Sequence, residues 1–148
     1  MKLTWKIKRF EELSAHELYN VLSLRNEVFV VEQNCVYQDA DGKDKTALHV
    51  LGLNEGEIVA YARIFNRGEY FENASIGRVV VEPAFRGKNI GHELMKVAVK
   101  SVADLYSEQQ ITISAQSYLE GFYLQHGFVT QGKPYLEDGI PHVRMEKI

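Results

Sequence analysis

The sequence contains a single cysteine, no long apolar run and no excess of positive charge. Because Cys35 is alone among 148 residues, an intramolecular disulfide is excluded. No segment approaches the roughly 18 apolar residues that cross a bilayer, so we expect no membrane as a partner. Residues 1–10 lack the apolar core and the small-residue cleavage site of a secretory leader, which predicts a cytoplasmic protein.

The charge and composition narrow the class of protein further. The net charge is −3 and the isoelectric point is about 6.0, so no positive field is available to attract nucleic acid. The residues are 45% hydrophobic and 25% charged, close to the average for globular domains. There is no repeat or low-complexity linker, and we predict one domain that spans residues 1–148.

Hydrophobic periodicity predicts seven strands and three helices. The pattern S-x-x-E occurs at Ser14–Glu17 and at Ser117–Glu120, and each is read as a capping box that opens a helix. Apolar residues at helical spacing from about Asn89 predict the helix between these two. The predicted strands cover residues 3–10, 47–54, 57–66, 74–82, 110–116, 128–136 and 141–147.

The order of these elements is β-α-β-β-β-α-β-α-β-β. Glu55-Gly56 is typical of a tight hairpin turn between the second and third strands. The strand, helix and strand from residue 74 to residue 116 predict a right-handed parallel crossover. The expected fold class is therefore α/β (α+β), with a mixed, largely antiparallel sheet, one parallel βαβ unit and flanking helices.

The loop Arg86-Gly87-Lys88-Asn89-Ile90-Gly91 lies where a buried strand ends and a helix begins. Free amides of the first helical turn, two cations and two glycines make this an anion site that suits a pyrophosphate. An ordinary connecting loop with two surface cations is the alternative. The loop matches neither the Walker A pattern nor the G-x-G-x-x-G dinucleotide pattern.

Several segments resemble the GNAT superfamily of acyl-CoA-dependent N-acyltransferases. Arg86 and Gly91 match the ends of its pyrophosphate motif [Q/R]-x-x-G-x-[G/A], and Asn89 stands where the motif has its middle glycine. FYLQHGF near the C-terminus is also similar. LRNEVFVVEQNCVYQDADGKD, HVLG, RVVVEPAFRGKNIGHELM and ISAQ resemble the ElaA-like branch, and together the likeness covers nearly the whole chain.

This resemblance implies where acetyl-CoA, the acyl donor, would bind. The backbones of the central strand would pair with the pantetheine arm in an opening between two splayed parallel strands, while the valine side chains belong to the core. The loop after that strand would hold the pyrophosphate. The implied cofactor-binding residues are Val79, Val80, Val81, Arg86, Gly87, Lys88, Asn89, Gly91 and His92.

Tyr123 is the predicted general acid. It lies on the apolar stripe of the last helix and matches the tyrosine of the family's F-Y-x-x-x-G-F segment, which often protonates the CoA thiolate. The alternative is a buried tyrosine whose hydroxyl bonds to a backbone carbonyl.

Two polar residues fall on the apolar stripe of the first helix, namely Arg25 and Glu32. They could form an internal ion pair, or they could bind the acceptor, with Arg25 holding a carboxylate and Glu32 attracting an amine. His49 is a candidate base or a structural histidine. Arg63 and Arg78 could line a pocket or belong to a satisfied charge network.

No metal is predicted. Asp39, Asp41 and Asp44 in D-A-D-G-K-D resemble a metal loop, but the terminal glutamate of an EF-hand is missing. The sequence around Cys35 does not mark it as a nucleophile.

The predicted function is transfer of an acetyl group from acetyl-CoA to a primary amine by direct attack in a ternary complex. The acceptor would be a small-molecule or peptide amine. A homodimer is one possible oligomeric state. One alternative is an acyl-homoserine-lactone synthase, because RNEVFVVEQ, an Asp-rich loop and YARIF resemble that family too. Another is a non-catalytic acyl-CoA-binding regulatory module.

Overall fold

The computed structural model describes residues 2–148, which form one seven-stranded sheet flanked by helices. The strands are β1 (Thr4–Arg9), β2 (Leu48–Asn54), β3 (Glu57–Phe65), β4 (Ala74–Val81), β5 (Ile111–Gln116), β6 (Val129–Glu137) and β7 (Ile140–Lys147). The helices are α1 (Ala15–Arg25), α2 (Ile90–Tyr106) and α3 (Glu120–Leu124), and a π-helical segment, Asn26–Glu32, continues α1.

The strand order in the sheet is β1-β2-β3-β4-β5-β7-β6. Every neighbouring pair is antiparallel except β4 and β5, which are parallel and joined by α2. This confirms the expected mixed sheet with one parallel crossover. Within residues 2–148, no helix is long and apolar enough to cross a membrane.

The two faces of the sheet are covered by different helices. Because side chains alternate along a strand, β3 gives Ala60, Ala62 and Ile64 to one face and Tyr61 to the other. The first face packs against α2, whose buried apolar residues include Ile90, Leu94, Met95, Ala98 and Val102. The second packs against α1 through Val21, Leu24 and Val28. Each fully buried aliphatic side chain contributes about 1.5–3 kcal/mol.

The pair β4–β5 is the shortest in the sheet. Only Ala74–Ile111 and Ser75–Thr112 are paired, and beyond them the two strands separate. On its other side β4 stays paired with β3 up to Val81. A bulge interrupts that ladder, because Tyr61 faces Val80 whereas Arg63 faces Gly77. The sheet therefore opens on one side of β4 only.

The two predicted capping boxes have different outcomes. At the start of α1 the Ser14 hydroxyl accepts the N–H of Glu17 at 3.0 Å, and the Glu17 carboxylate accepts the N–H of Ser14 at 2.9 Å. Lys8 also donates to Glu17, which ties β1 to the helix. The first box is confirmed.

The second box is wrong. The chain makes a 3₁₀ turn over Ser117–Leu119 before α3 begins at Glu120, so the spacing does not place Ser117 at a helix N-cap. Its buried hydroxyl has no hydrogen-bond partner among the described residues, and Glu120 instead accepts a bond from Thr130.

These serines give a matched pair of variants. We expect Ser14→Ala to lower the free energy of unfolding by about 1 kcal/mol, because it removes the acceptor of an N-cap bond. Ser117→Ala removes a hydroxyl that has no partner, so stability should stay the same or rise slightly. Urea denaturation of the two variants measures both effects, and equal losses would mean that both serines cap a helix.

Candidate active site

A cavity of about 620 Å³ occupies the opening between β4 and β5. Its walls come from β4, the loop before α2, the start of α3 and the β6–β7 turn. A site of this size matches those that hold small molecules and cofactors. The separation of two parallel strands, expected from the family resemblance, therefore coincides with a cavity of this size.

The backbone of β4 faces this cavity at alternate residues. The N–H of Glu82 donates to the carbonyl of Val59 at 2.8 Å, so Glu82 and Val80 direct their backbone groups toward β3. Val81 therefore directs its N–H and C=O into the cavity, and its carbonyl accepts from Arg86 Nε at 3.2 Å. The same alternation gives Val79 this orientation.

The prediction that the backbone of Val80 faces the cofactor is wrong. Its backbone pairs with Tyr61, and its side chain is buried against α1.

The loop after β4 has the backbone shape that an anion site needs. Gly87 and Asn89 both have positive φ, at 81° and 62°. Asparagine is among the residues that tolerate this left-handed conformation best, so Asn89 replaces the motif's glycine without changing the turn. Helix α2 begins at Ile90, and the N–H groups of its first turn, including those of Gly91 and His92, have no carbonyl partner within the helix.

The two cations of the loop have different surroundings. Arg86 donates to both oxygens of Glu32, at 2.6 and 2.7 Å, in a bidentate pair on the surface. The hydrogen bonds from Arg86 lower the pKa of the Glu32 carboxyl. Lys88 is exposed and makes no ion pair with any residue from 2 to 148. Arg86, the cation expected to bind the pyrophosphate, is therefore already paired with the carboxylate of Glu32.

His92, the last predicted residue of the set, packs beside the cavity against α3 and the residues that follow it. Its Nδ1 lies 2.9 Å from Nε2 of His126, and its ring packs on Phe122. Burial, together with the neighbouring His92, lowers the pKa of His126. These contacts fix the start of α2 against α3.

Tyr123 lines the cavity and is almost completely buried. Its ring contacts Phe122 and Phe128 edge to face. Burial raises the pKa of its phenol, so the hydroxyl is protonated at neutral pH. Among the described residues the hydroxyl has no hydrogen-bond partner, which argues against a tyrosine held by a backbone carbonyl. The hydroxyl is thus available to a group in the cavity.

The predicted acceptor role of Arg25 is wrong. Arg25 is completely buried, and it donates to Asp39 at 2.7 Å and to Asp44 at 2.8 Å. Its third guanidinium nitrogen donates to the backbone carbonyl of Asp39, so all three nitrogens are used within the protein. The alternative Arg25–Glu32 pair is wrong as well, since Glu32 lies on the surface with Arg86. The π-helical segment turns the chain after Arg25, so a seven-residue spacing does not keep both side chains on one face.

Arg25 belongs to a network of three arginines and three aspartates. Asp44 accepts from Arg25 and Arg63, Asp41 accepts from Arg63, and Asp39 accepts from Arg25 and Arg78. Burial alone would raise the pKa of Asp44, but the two guanidiniums lower it below its usual value. The aspartates thus tie the loop before β2 to the sheet.

The predicted base His49 is buried on β2. Its Nδ1 lies 2.6 Å from the hydroxyl of Tyr61, and its Nε2 lies 2.8 Å from the carbonyl of Asp44. Burial lowers its pKa, and both ring nitrogens are occupied. His49 is therefore a structural histidine. Arg78 reaches the cavity wall, although its guanidinium is bound to Asp39.

Sequence reasoning missed a cluster of three polar side chains at the far end of the cavity, beside the β6–β7 turn. Ser114 on β5, Glu137 at the end of β6 and His142 on β7 line this end together. Gln33 and Gln116 exchange two amide hydrogen bonds, of 2.9 and 3.2 Å, beside it. The available signal was Asp138-Gly139, a dipeptide typical of tight hairpin turns, which lies between the last two strands and brings Glu137 close to His142.

Comparison with known proteins gives a consistent result. A family model described as acetyltransferase (GNAT) domain matches residues 12–148. The chain is 42% identical over 147 residues to the protein ElaA of Escherichia coli (strain K12), which covers 98% of this chain and 96% of that protein. The crystal structure of Escherichia coli ElaA is similar with a TM-score of 0.92 at 40% identity, covering 99% of this chain and 100% of that one.

Two other solved structures complete the comparison. An acyl-CoA N-acyltransferase from Pseudomonas aeruginosa has a TM-score of 0.93 at 39% identity and covers 99% of this chain and 100% of that one. The AHL synthase LasI has a TM-score of 0.79 at 15% identity and covers 98% of this chain and 89% of that one. The likeness to LasI shows a shared fold alone.

The Arg86–Glu32 pair gives a prediction about the affinity for CoA. A carboxylate on Arg86 competes with a pyrophosphate, and an exposed ion pair contributes about 0.2–1 kcal/mol. We therefore expect Glu32→Gln to lower the Kd of CoA by roughly 1.5- to 5-fold. Isothermal titration measures this change, with Glu55→Gln at the β2–β3 turn as the control. Weaker binding by Glu32→Gln would show instead that Glu32 orients Arg86 for the ligand.

Proposed function

The chain belongs to the GNAT acetyltransferase family, and from this premise we propose that it transfers an acetyl group from acetyl-CoA to a primary amine. The amine would attack the thioester directly in a ternary complex. The proposal includes a small-molecule or peptide acceptor, a cytoplasmic location and a single catalytic domain over residues 1–148. That the chain is an acyltransferase follows from its family.

The observation that carries the proposal is the opening of the sheet beside a helix N-terminus. On the side of β5 the backbone of Val79 and Val81 has no strand partner, and it offers a ladder to the amides of a pantetheine arm. The free amides at the start of α2 and the exposed cation of Lys88 lie where a pyrophosphate would follow. A linear ligand with amides at one end and phosphates at the other fits both features.

Tyr123 supplies the acid that this reaction needs. When the amine attacks the carbonyl carbon, the C–S bond breaks and the sulfur leaves with an electron pair that requires a proton. The Tyr123 hydroxyl is protonated, lines the cavity and has no other partner among residues 2–148. It can donate a hydrogen bond to the sulfur as the bond breaks, and then the proton.

The two alternative functions are a non-catalytic binding module and a lactone synthase. A non-catalytic acyl-CoA-binding module was suggested by the missing glycine at Asn89, but the left-handed backbone there removes that reason. An acyl-homoserine-lactone synthase shares only the fold at 15% identity. Both can be separated from amine acetylation by the products that are formed.

The test is a screen for acceptor-dependent release of CoA from acetyl-CoA. Alkylamines, polyamines, amino acids and lysine peptides are offered in turn, and a thiol reagent follows the free CoA while mass spectrometry identifies the acetylated product. We expect N-acetylation of at least one primary amine. CoA binding without turnover on any amine would favour the regulatory module, and lactone formation with acyl carriers would favour the synthase.

The role of Tyr123 can be isolated by removing its hydroxyl. We expect Tyr123→Phe to lower kcat by roughly 10²–10⁴-fold, because general-acid assistance to the leaving sulfur is lost. The affinity for acetyl-CoA and the Tm should change little, since the ring still packs. The matched control is Tyr106→Phe on α2, outside the cavity. An unchanged kcat with rate-limiting chemistry would make Tyr123 a packing residue.

A further inference from the structure

The far end of the cavity, beside the β6–β7 turn, holds three polar side chains that have no role in the proposed acid catalysis by Tyr123. Ser114 Oγ donates to Glu137 Oε1 at 3.2 Å and lies 2.5 Å from the hydroxyl of Tyr135. His142 Nε2 lies 3.5 Å from Glu137 Oε2. Strands β5, β6 and β7 therefore bring one carboxylate and one imidazole to the same point.

The hydrogen bonds of His142 determine which of its ring nitrogens carries the hydrogen and which one can accept. Its Nδ1 lies 2.7 Å from the carbonyl oxygen of Ile140, and a carbonyl can only accept. Nδ1 therefore carries the hydrogen, and in the neutral ring Nε2 presents a lone pair. The lone pair of Nε2 and the Oε2 atom of Glu137 are then two acceptors that face each other at 3.5 Å. A shared cationic donor would satisfy both.

The charges around the cavity leave this carboxylate unmatched. Three arginines line the cavity, but Arg63 and Arg78 are bound by the aspartates of the buried network and Arg86 is bound by Glu32. The carboxylates that line the cavity without an arginine or lysine partner, among residues 2–148, are Glu137 and the neighbouring Asp138. Tyr70 also lines the cavity, and burial together with the charge of Glu137 raises the pKa of its phenol. The site therefore has a net negative charge.

We propose that Glu137 and His142 form the binding site for the acceptor's ammonium group, and that Nε2 of His142 removes its first proton. This proposal rests on the proposed function and narrows its acceptor to alkylamines that are protonated at neutral pH. A primary ammonium has three N–H donors, of which one bonds to Glu137 and one to His142. Hydroxyl and carboxylate acceptors lack the charge that this site matches.

The proton balance follows from these positions. The ammonium gives one proton to His142 Nε2, and the free amine attacks the thioester carbonyl. The C–N bond forms, the C–S bond breaks, and the second amine proton replaces the one that Tyr123 donates to the sulfur. His142 then returns its proton to solvent. The products are the N-acetyl amine and CoA with a free thiol.

The variants Glu137→Gln, Glu137→Asp and His142→Gln test the proposal in protein saturated with acetyl-CoA. The probes are 1,5-diaminopentane, tyramine and spermidine. We expect Glu137→Gln to raise the KM for the amine by roughly 10- to 100-fold, because a charge-assisted bond is lost. Glu137→Asp should recover part of this loss. His142→Gln should mainly lower kcat, by roughly 10²–10⁴-fold.

Hydroxylamine, which is neutral at pH 7, provides a readout that a purely structural role would not change. It needs no proton removed before attack, so the variants should lose much less activity with it than with the alkylamines. The matched control is Glu146→Gln on β7, where the carboxylate pairs with Arg144 outside the cavity. This control should leave every KM unchanged. Equal losses with both kinds of acceptor would overturn the proposed proton transfer.

Calorimetric binding of the same probes to CoA-saturated protein separates this proposal from the proposed function. Alkylamine binding that Glu137→Gln abolishes, with no turnover in the wild type, would support the ammonium site and refute the transferase activity. Turnover with an unchanged KM in Glu137→Gln would refute the ammonium site and leave the activity standing. No binding of any alkylamine by the wild type would also refute the site.

Discussion

The second half of the central strand β4 is paired with β3 alone, and this is the constraint on which the rest of the structure depends. Backbone amides and carbonyls that are buried without partners are costly, and those of Val79 and Val81 have no strand partner on the β5 side, although the Val81 carbonyl accepts from Arg86. They are tolerated because the cavity keeps them open to solvent or ligand. The bulge on the β3 side, the loop before α2 and the position of Tyr123 all surround this one opening.

The buried network of arginines and aspartates holds the loop before β2 in place beside the opening. Charges taken out of water are costly unless each is paired and hydrogen-bonded, and removing one partner leaves another charge uncompensated. Here three guanidiniums meet three carboxylates, and Asp44 is shared between Arg25 and Arg63. The loop that carries the aspartates has no regular secondary structure from residue 35 to residue 43, so these contacts are what fix it beside the cavity.

The sequence predicted regular elements well and long-range side-chain pairs poorly. The strands followed from their apolar patterns, and the capping box at Ser14 was right because its bonds are local. The same pattern at Ser117 failed, since a 3₁₀ turn separates that serine from the helix. The partners of Arg25 could not be found by spacing on a helix, because its aspartates come from a distant loop and a π-helical segment displaces Glu32. Glu137 and His142 meet across the β6–β7 hairpin, in which Glu137 pairs with Ile140 and Tyr135 pairs with His142.

The π-helical segment and the residue after it reach across the opening in two places. Glu32 binds Arg86 on the side of α2, and Gln33 binds Gln116 on the side of β5. The first is an anion on a guanidinium, as a phosphate of the proposed ligand would be, and the second joins two amides, as the pantetheine amides could do. A ligand that enters can therefore exchange partners one for one, with little net change in the number of bonds. Both contacts are made by side chains alone, so exchanging them leaves the backbone pairing of the sheet in place.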